Sequence, residues 1–192
     1  PCAVGQKTID IYGCPCQWDS VGPDYLDYKG DIVKRDAVSY VGEIYYTNDS
    51  GRNDFVTMKV SSDDDFLYFY AECAGEITSP EGTNWMNLFI NADRKYDNGW
   101  YGYNFVINRS RDGNKASVEA FKDSWATERI GTAEFSVKGN IIQIKVAKAL
   151  LGITDSFEFK WADNSVDDGD IMKFIDMGDA APNDRFNYVF VK

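Results

Sequence analysis

Oxygen-bearing and flat aromatic side chains crowd one stretch of this chain, from Trp85 to Arg109. Asp93, Asp97 and Asn98 offer hard oxygen atoms, and Gly99 and Gly102 permit the tight backbone turns that bring such atoms together. Two carboxylates four residues apart on a tight loop can converge on one cation, with backbone carbonyls filling the other positions, and all-oxygen donor sets suit calcium. Trp100, Tyr101 and Tyr103 add flat apolar faces. Each such ring buries much area while freezing few rotors, which suits the C–H faces of sugar rings. A second acidic group lies downstream at Asp163, Asn164, Asp167, Asp168 and Asp170. Like charges at that density repel unless solvated or bridged, so Asp163, Asp168 and Asp170 form a second candidate metal set. Trp125 follows the polar run Lys122-Asp-Ser and is a further candidate platform. Asn108 and Arg109 complete the candidate carbohydrate set. Asn87, Asn91, Asn104 and Asn108 share one phase of the flanking strands, where amides can both donate to and accept from hydroxyls. Arg109 and Arg111 also have local carboxylates as alternative partners.

The composition excludes several chemistries. The 192 residues contain no histidine. That removes Ser-His-Asp and Cys-His catalysis, the usual zinc enzymes and the commonest general base. The net charge of −11 repels phosphate backbones and anionic lipid surfaces, so neither nucleic acid nor a membrane surface is an expected partner. No apolar run is long enough to span a bilayer. A glycosidase would need two carboxylates at a defined separation, and no spacing here selects a pair. Three of the four cysteines, Cys2, Cys14 and Cys16, lie near the start, while Cys73 shares the phase of Leu67, Phe69 and Ala71 and is expected to be a buried thiol. A bridge from Cys2 to Cys14 or Cys16 would pin the N-terminal arm and imply an oxidising compartment. The sequence opens at Pro1, which reads as a mature or trimmed start.

The elements that must position these residues are strands. Val38–Tyr46, Phe55–Val60, Phe66–Cys73, Met86–Ala92, Tyr103–Arg109, Ala116–Lys122, Glu134–Val137, Ile141–Val146, Phe157–Trp161 and Tyr188–Val191 carry strand patterns. Gly139-Asn140 is a hairpin signal, and Ala147–Leu151 is about one helical turn stopped by Gly152. In Phe157–Trp161 the aromatic residues face inward and Glu158 and Lys160 outward. Trp161 is thus expected in the core, and Trp18 as the anchor of an irregular arm over residues 1–34. About nine to eleven short strands with one or two helical turns, on a chain of one-domain length, predict a single all-β antiparallel sandwich.

The order of these motifs resembles the family 9 carbohydrate-binding modules and their DOMON-like relatives. A strand Phe66–Cys73 precedes Trp85 and Asn-Leu-Phe-Ile-Asn-Ala-Asp; a glycine-rich turn leads to Tyr-Asn-Phe-Val-Ile-Asn-Arg. Val-Ala-Lys-Ala-Leu-Leu-Gly, Phe-Glu-Phe-Lys-Trp-Ala-Asp-Asn and Arg-Phe-Asn-Tyr-Val-Phe follow. The likeness covers roughly residues 35–192. It implies a jelly-roll or Ig-like sandwich and a non-catalytic, monomeric module of a secreted, cell-surface or periplasmic bacterial protein. Calcium would brace its loops, and it would hold an appended glycan-degrading enzyme on poly- or oligosaccharide. In that family two aromatic rings clamp a terminal sugar. Trp85 sits near one clamp position, while the C-terminal loop Asp179–Arg185 carries no Trp or Tyr for the other. The incomplete clamp leaves an alternative: an ancillary domain docked on a neighbouring catalytic domain without glycan affinity of its own.

Overall fold

The computed structural model describes residues 2–38, 42, 45–153 and 155–192. Alternation of apolar and polar residues produces strands, and strands dominate. They are β1 (Tyr25–Leu26), β2 (Arg35–Val38), β3 (Tyr45–Asn48), β4 (Phe55–Ser62), β5 (Phe66–Cys73), β6 (Asn87–Asn91) and β7 (Phe105–Asp112). β8 (Lys115–Phe121), β9 (Thr127–Lys138), β10 (Ile141–Ala147), β11 (Ser156–Asp163), β12 (Asp179–Ala181) and β13 (Tyr188–Val191) follow. A 3₁₀ turn at Pro15–Ser20 and two single-turn helices, α1 (Lys148–Leu151) and α2 (Lys173–Asp176), complete the described elements.

Eleven strands form one antiparallel sheet in the order β1-β4-β5-β10-β9-β8-β7-β6-β11-β12, with β13 also pairing β11. The sheet bends back on itself. Phe55, Met58 and Val60 from β4 and Phe157, Phe159 and Trp161 from β11 belong to one buried cluster, although six strands separate β4 from β11 in sheet order. The Phe69 ring lies 5.7 Å from Phe157 and 5.9 Å from Phe159, both edge-on, and Phe55 lies 6.2 Å from Trp161. This is an all-β antiparallel sandwich. Each fully buried aromatic side chain contributes about 2–3 kcal/mol of burial free energy, so these rings supply much of the closure.

Two further clusters cover the outer faces. Tyr68 and Tyr70 of β5 lie beneath Ile9, Ile11, Trp18 and Val21 of the N-terminal arm. Trp18 is buried as expected and donates its indole N–H to Gln143 Oε1 at 2.7 Å. Phe89 of β6 and Val106 of β7 lie beneath Trp100, Tyr103, Val166 and Phe174 from two loops. β6 and β11 are thereby buried on both faces. Glu158 and Lys160 point outward as their phase requires, yet both are sealed from solvent.

Some elements differ from expectation. The sequence pattern gives one strand over Val38–Tyr46; residues 39–41, 43 and 44 of it lie outside the described residues. Its two ends belong to β2 and β3, which pair antiparallel with each other, Val38 opposite Tyr45. β9 extends far upstream of Glu134 by pairing with β8, from Thr127 opposite Phe121; its first half is largely exposed and carries no alternation to mark it. β12 is three residues inside a loop-like acidic stretch. Cys73 is a buried free thiol, and Cys14 bonds Cys16, leaving Cys2 free and exposed; the expected bridge from Cys2 to Cys14 or Cys16 does not form. Among the described residues no helix is long and apolar enough to cross a membrane.

Asp63 locks the turn between β4 and β5. It accepts from the Phe66 amide at 2.7 Å, the Tyr68 hydroxyl at 2.6 Å and the Thr8 hydroxyl at 2.8 Å. Burial alone would raise its carboxyl, but these hydrogen bonds outweigh it and hold the group down at about 2. The folded value lies below the unfolded one, so the stabilisation is complete above about pH 4 and is lost as pH falls through the folded value. Asp63→Asn is expected to lower stability at neutral pH by about 1–2 kcal/mol after allowance for solvent screening, and to flatten the acid limb of the unfolding curve. Denaturant titrations at neutral and acid pH check this; an unchanged acid limb would remove Asp63 from the account.

Candidate functional site

The loop between β6 and β7 ends in a two-residue turn. Trp100 and Tyr103 exchange both backbone hydrogen bonds at 3.0 Å, and Tyr101 and Gly102 between them have φ of 51° and 93°. Positive φ at both central residues is the signature of a type I′ turn, which matches the twist of paired strands. Glycine adopts it freely, whereas a tyrosine there is strained, and strain of this kind collects at functional positions. The turn throws the Tyr101 ring into solvent, 60% exposed. Gly99 is required just before it, since a Cβ there would lie 2.1 Å from the Tyr103 carbonyl oxygen.

Beside this turn lies an open depression of about 550 Å³, rimmed by Tyr96, Asp97, Tyr101, Asp123, Ser124 and Trp125. Trp100 forms its floor at 3% exposure, with its indole N–H donating to the Gly169 carbonyl at 3.1 Å. Trp125 meets Trp100 edge-on at 4.6 Å, and the Arg109 guanidinium lies 4.7 Å from the Trp125 ring centre. Gly169 passes so close that a Cβ on it would sit 2.6 Å from that of Trp125. The rim is therefore aromatic and polar in alternation, on a rigid aromatic base.

The predicted residues divide sharply. Trp100, Tyr101, Trp125 and Asp97 meet at this depression. Trp85 does not; it is fully buried, with its N–H donating to the Thr78 carbonyl at 3.0 Å, and cannot stack on a ligand. Asn108 is also fully buried, at φ 80°, donating to the Trp85 and Met86 carbonyls. Asn87 and Asn91 likewise serve local backbone carbonyls, because amides on a strand sealed on both faces must find partners there. Arg109 does not line the depression; it lies over the Trp125 ring and 3.7 Å from Glu119.

The metal candidates are rearranged too. Asp93 accepts from the Lys95 amide at 3.1 Å and from the Asn98 side-chain amide at 2.8 Å, while Asn98 Oδ1 accepts from Asn104 at 3.1 Å. This loop is closed by its own hydrogen bonds, and Asp97 stands on the depression's rim. Asp163 is fully buried, paired with Arg52 at 2.7 Å and accepting from the Met86 amide at 2.9 Å. Asp168 pairs with Lys173 at 2.8 Å, and Asp170 caps the Met172 amide. These three carboxylates are each spoken for separately and form no common site.

Among the described residues the acidic side chains that do converge are a different set. Asp27, Asp31 and Asp179 place one carboxylate oxygen each within 4.8 Å of the others. Asp27 Oδ2 and Asp31 Oδ1 are buried without a hydrogen-bond partner. Burial, with the neighbouring carboxylates adding, pushes Asp179 up to about 8 and Asp27 up to about 6, and raises Asp31. Burial also drives the nearby Lys160 ammonium down to about 7; its hydrogen-bond partner is the Pro182 carbonyl. Asp179 joins the two ends of the sheet, accepting from the β4 amide of Phe55 at 2.8 Å. Asp27 and Asp31 have the same four-residue spacing as Asp93 and Asp97, but only the fold brings Asp179 to them, so the full group is not visible in the sequence. Tyr96, Asp123 and Ser124 were missed as well, being ordinary loop residues by type.

No family model matches the chain, and no curated protein matches it.

Gly99→Ala is expected to cost about 2–3 kcal/mol, because a Cβ forced against backbone at a positive φ must displace the turn. Far-UV circular dichroism should stay unchanged while the near-UV tryptophan bands shift. A variant with native near-UV bands and native stability would show that the turn does not depend on Gly99.

Proposed function

We propose that this chain is a non-catalytic carbohydrate-binding module, monomeric and acting outside the cytoplasm of a bacterium, that holds an attached glycan-degrading enzyme on its polysaccharide. The supporting observation is the depression itself. Exposed Tyr96 and Tyr101 and part-exposed Trp125 stand over the Trp100 floor, interleaved with Asp97, Asp123 and Ser124. Aromatic faces take the C–H faces of a sugar ring, and short polar side chains between them take its hydroxyls. The motif order that resembles the family 9 modules points the same way, the absence of histidine suits a binding role, and the Cys14–Cys16 bond suits an oxidising compartment. Shallow stacking of this kind gives affinities on the order of micromolar to millimolar, which tethering converts into retention of the enzyme.

Calcium belongs to the same reading, at Asp27, Asp31 and Asp179 and not at the loop aspartates. The donors are hard oxygens, two of them buried without partners. A divalent cation there would offset the mutual repulsion of carboxylates gathered at the sheet's closure.

A second reading, docking on a neighbouring catalytic domain, is favoured by Val33, Val38 and Tyr45, which stand exposed on and beside the β2–β3 hairpin. Under it, Tyr45→Ser would loosen the interdomain contact while Tyr101→Ala would have no effect on polysaccharide retention.

Affinity electrophoresis against xylan, mixed-linkage glucan and mannan, followed by titration calorimetry, tests the first reading. Tyr101→Ala is expected to weaken binding at least about tenfold with little change in stability, since its ring is mostly solvent-exposed. Retention on none of the polymers would overturn the reading. For the cation, calcium is expected to raise the melting temperature by several degrees over protein in chelator, and Asp31→Asn to abolish the difference. Equal melting temperatures in both conditions would dismiss the site.

A further inference from the structure

The depression over Trp100 does not end at its rim. Tyr96 and Tyr101 also wall a second open depression of about 260 Å³, whose far side carries Asp184, Arg185 and Phe186. Phe186 is 72% exposed, and nothing in its sequence surroundings marks it as core. Beyond it, a third depression shares Asp184 and is bordered by Tyr28 and Tyr46. Three depressions thus follow one another with shared walls, and an exposed aromatic residue stands at each: Tyr101, then Phe186, then Tyr28.

The junction between the first two is fixed from below. Glu158, sealed on the outer face of β11, accepts the Tyr96 hydroxyl on both oxygens at 2.7 Å and the Asn187 amide at 3.1 Å. The Tyr103 hydroxyl donates to Asn187 Oδ1 at 2.6 Å. One buried carboxylate therefore sets the Tyr96 loop and the Phe186 loop against each other. Walls held in this way are formed before a ligand arrives, which reduces the ordering cost of binding.

The charge along the surface selects among ligands. Asp97, Asp123 and Asp184 line the first two depressions, and Arg185, the one cation lining these two among the described residues, lies 4.0 Å from Asp184; Arg35 lines the third. A chain bearing carboxylates or sulfates would meet like charge there.

Building on the carbohydrate-binding reading, we infer that the ligand is an internal run of a neutral polysaccharide, lying across the Tyr96–Tyr101 ridge with sugar rings on both sides. An open, continuous surface admits a chain passing through; it has no closed end to recognise a terminus. Phe186 is the second platform and Arg185 a hydrogen-bond donor to hydroxyls.

The test is a length series. Neutral xylo-, gluco- and manno-oligosaccharides from disaccharide to hexasaccharide are titrated calorimetrically, alongside their polymers, hexasaccharides with chemically reduced ends, and polygalacturonate. Affinity is expected to rise at least about tenfold from disaccharide to hexasaccharide, the gain of one added stacking platform. Reduced ends should bind as well as native ones, and polygalacturonate should not bind. Phe186→Ala should collapse the hexasaccharide-to-disaccharide ratio. A plateau at the disaccharide, dependence on an intact chain end, or an unchanged ratio in Phe186→Ala overturns the inference while leaving the carbohydrate-binding reading standing. Absence of binding to every probe overturns both.

Discussion

A strand sealed from water on both faces must find partners inside the protein for every polar group it carries. β6 and β11 are in this position, and much of the molecule is arranged to satisfy it. Their inner faces feed the aromatic core that closes the sheet. Their outer faces need cover, and that cover comes from the two loops that also build the depression. Glu158 is the clearest case. A carboxylate buried at the outer face is tolerable only with donors around it, and those donors are Tyr96, Asn187 and Asn91, with Arg94 at 3.8 Å. The groups that make the strand stable are thus the same groups that fix the site's walls.

The sheet's closure imposes a second demand. Where β4 meets β12, Asp179 supplies the bridging hydrogen bond, and Asp27 and Asp31 stand beside it. Raised carboxyl values at Asp27 and Asp179 describe a protein whose ionised form, without a cation, is least comfortable as pH rises from the ordinary carboxylate range towards 8. The depressed Lys160 ammonium acts in the opposite sense, its strain relieved above about 7. The seam is therefore an electrostatic weak point built from three separate segments of the chain, around residues 27–31, 160 and 179.

The strands were legible where short runs rich in apolar and aromatic residues are bounded by turn residues. Phe66–Cys73 and Tyr188–Val191 fall where the pattern puts them, and Trp18, Cys73 and Trp161 are buried as expected. The first half of β9 was not legible, because a strand exposed on both sides has no hydrophobic period. The site was half legible. Trp100, Tyr101, Trp125 and Asp97 come from one glycine-rich turn and one polar turn, and local chemistry marks both. Trp85 misled because it turns into the main core against Phe135, and Asn108 because its amide is taken up by the Trp85 and Met86 carbonyls, neither of which local spacing reveals. Asp163 misled for a related reason: its partner, Arg52, comes from the other side of the chain.

The edge-on contact of Trp100 and Trp125 has an optical side. Two indoles 4.6 Å apart at an interplanar angle of 61° do not absorb as independent chromophores. Their excited states mix, and the sign and size of the resulting dichroic couplet depend on the angle between them. Trp125 is the partly exposed member, at the rim, and Trp100 the buried one, at the floor. The protein therefore carries its own reporter at the depression, one that registers a small rotation of the rim ring without any label.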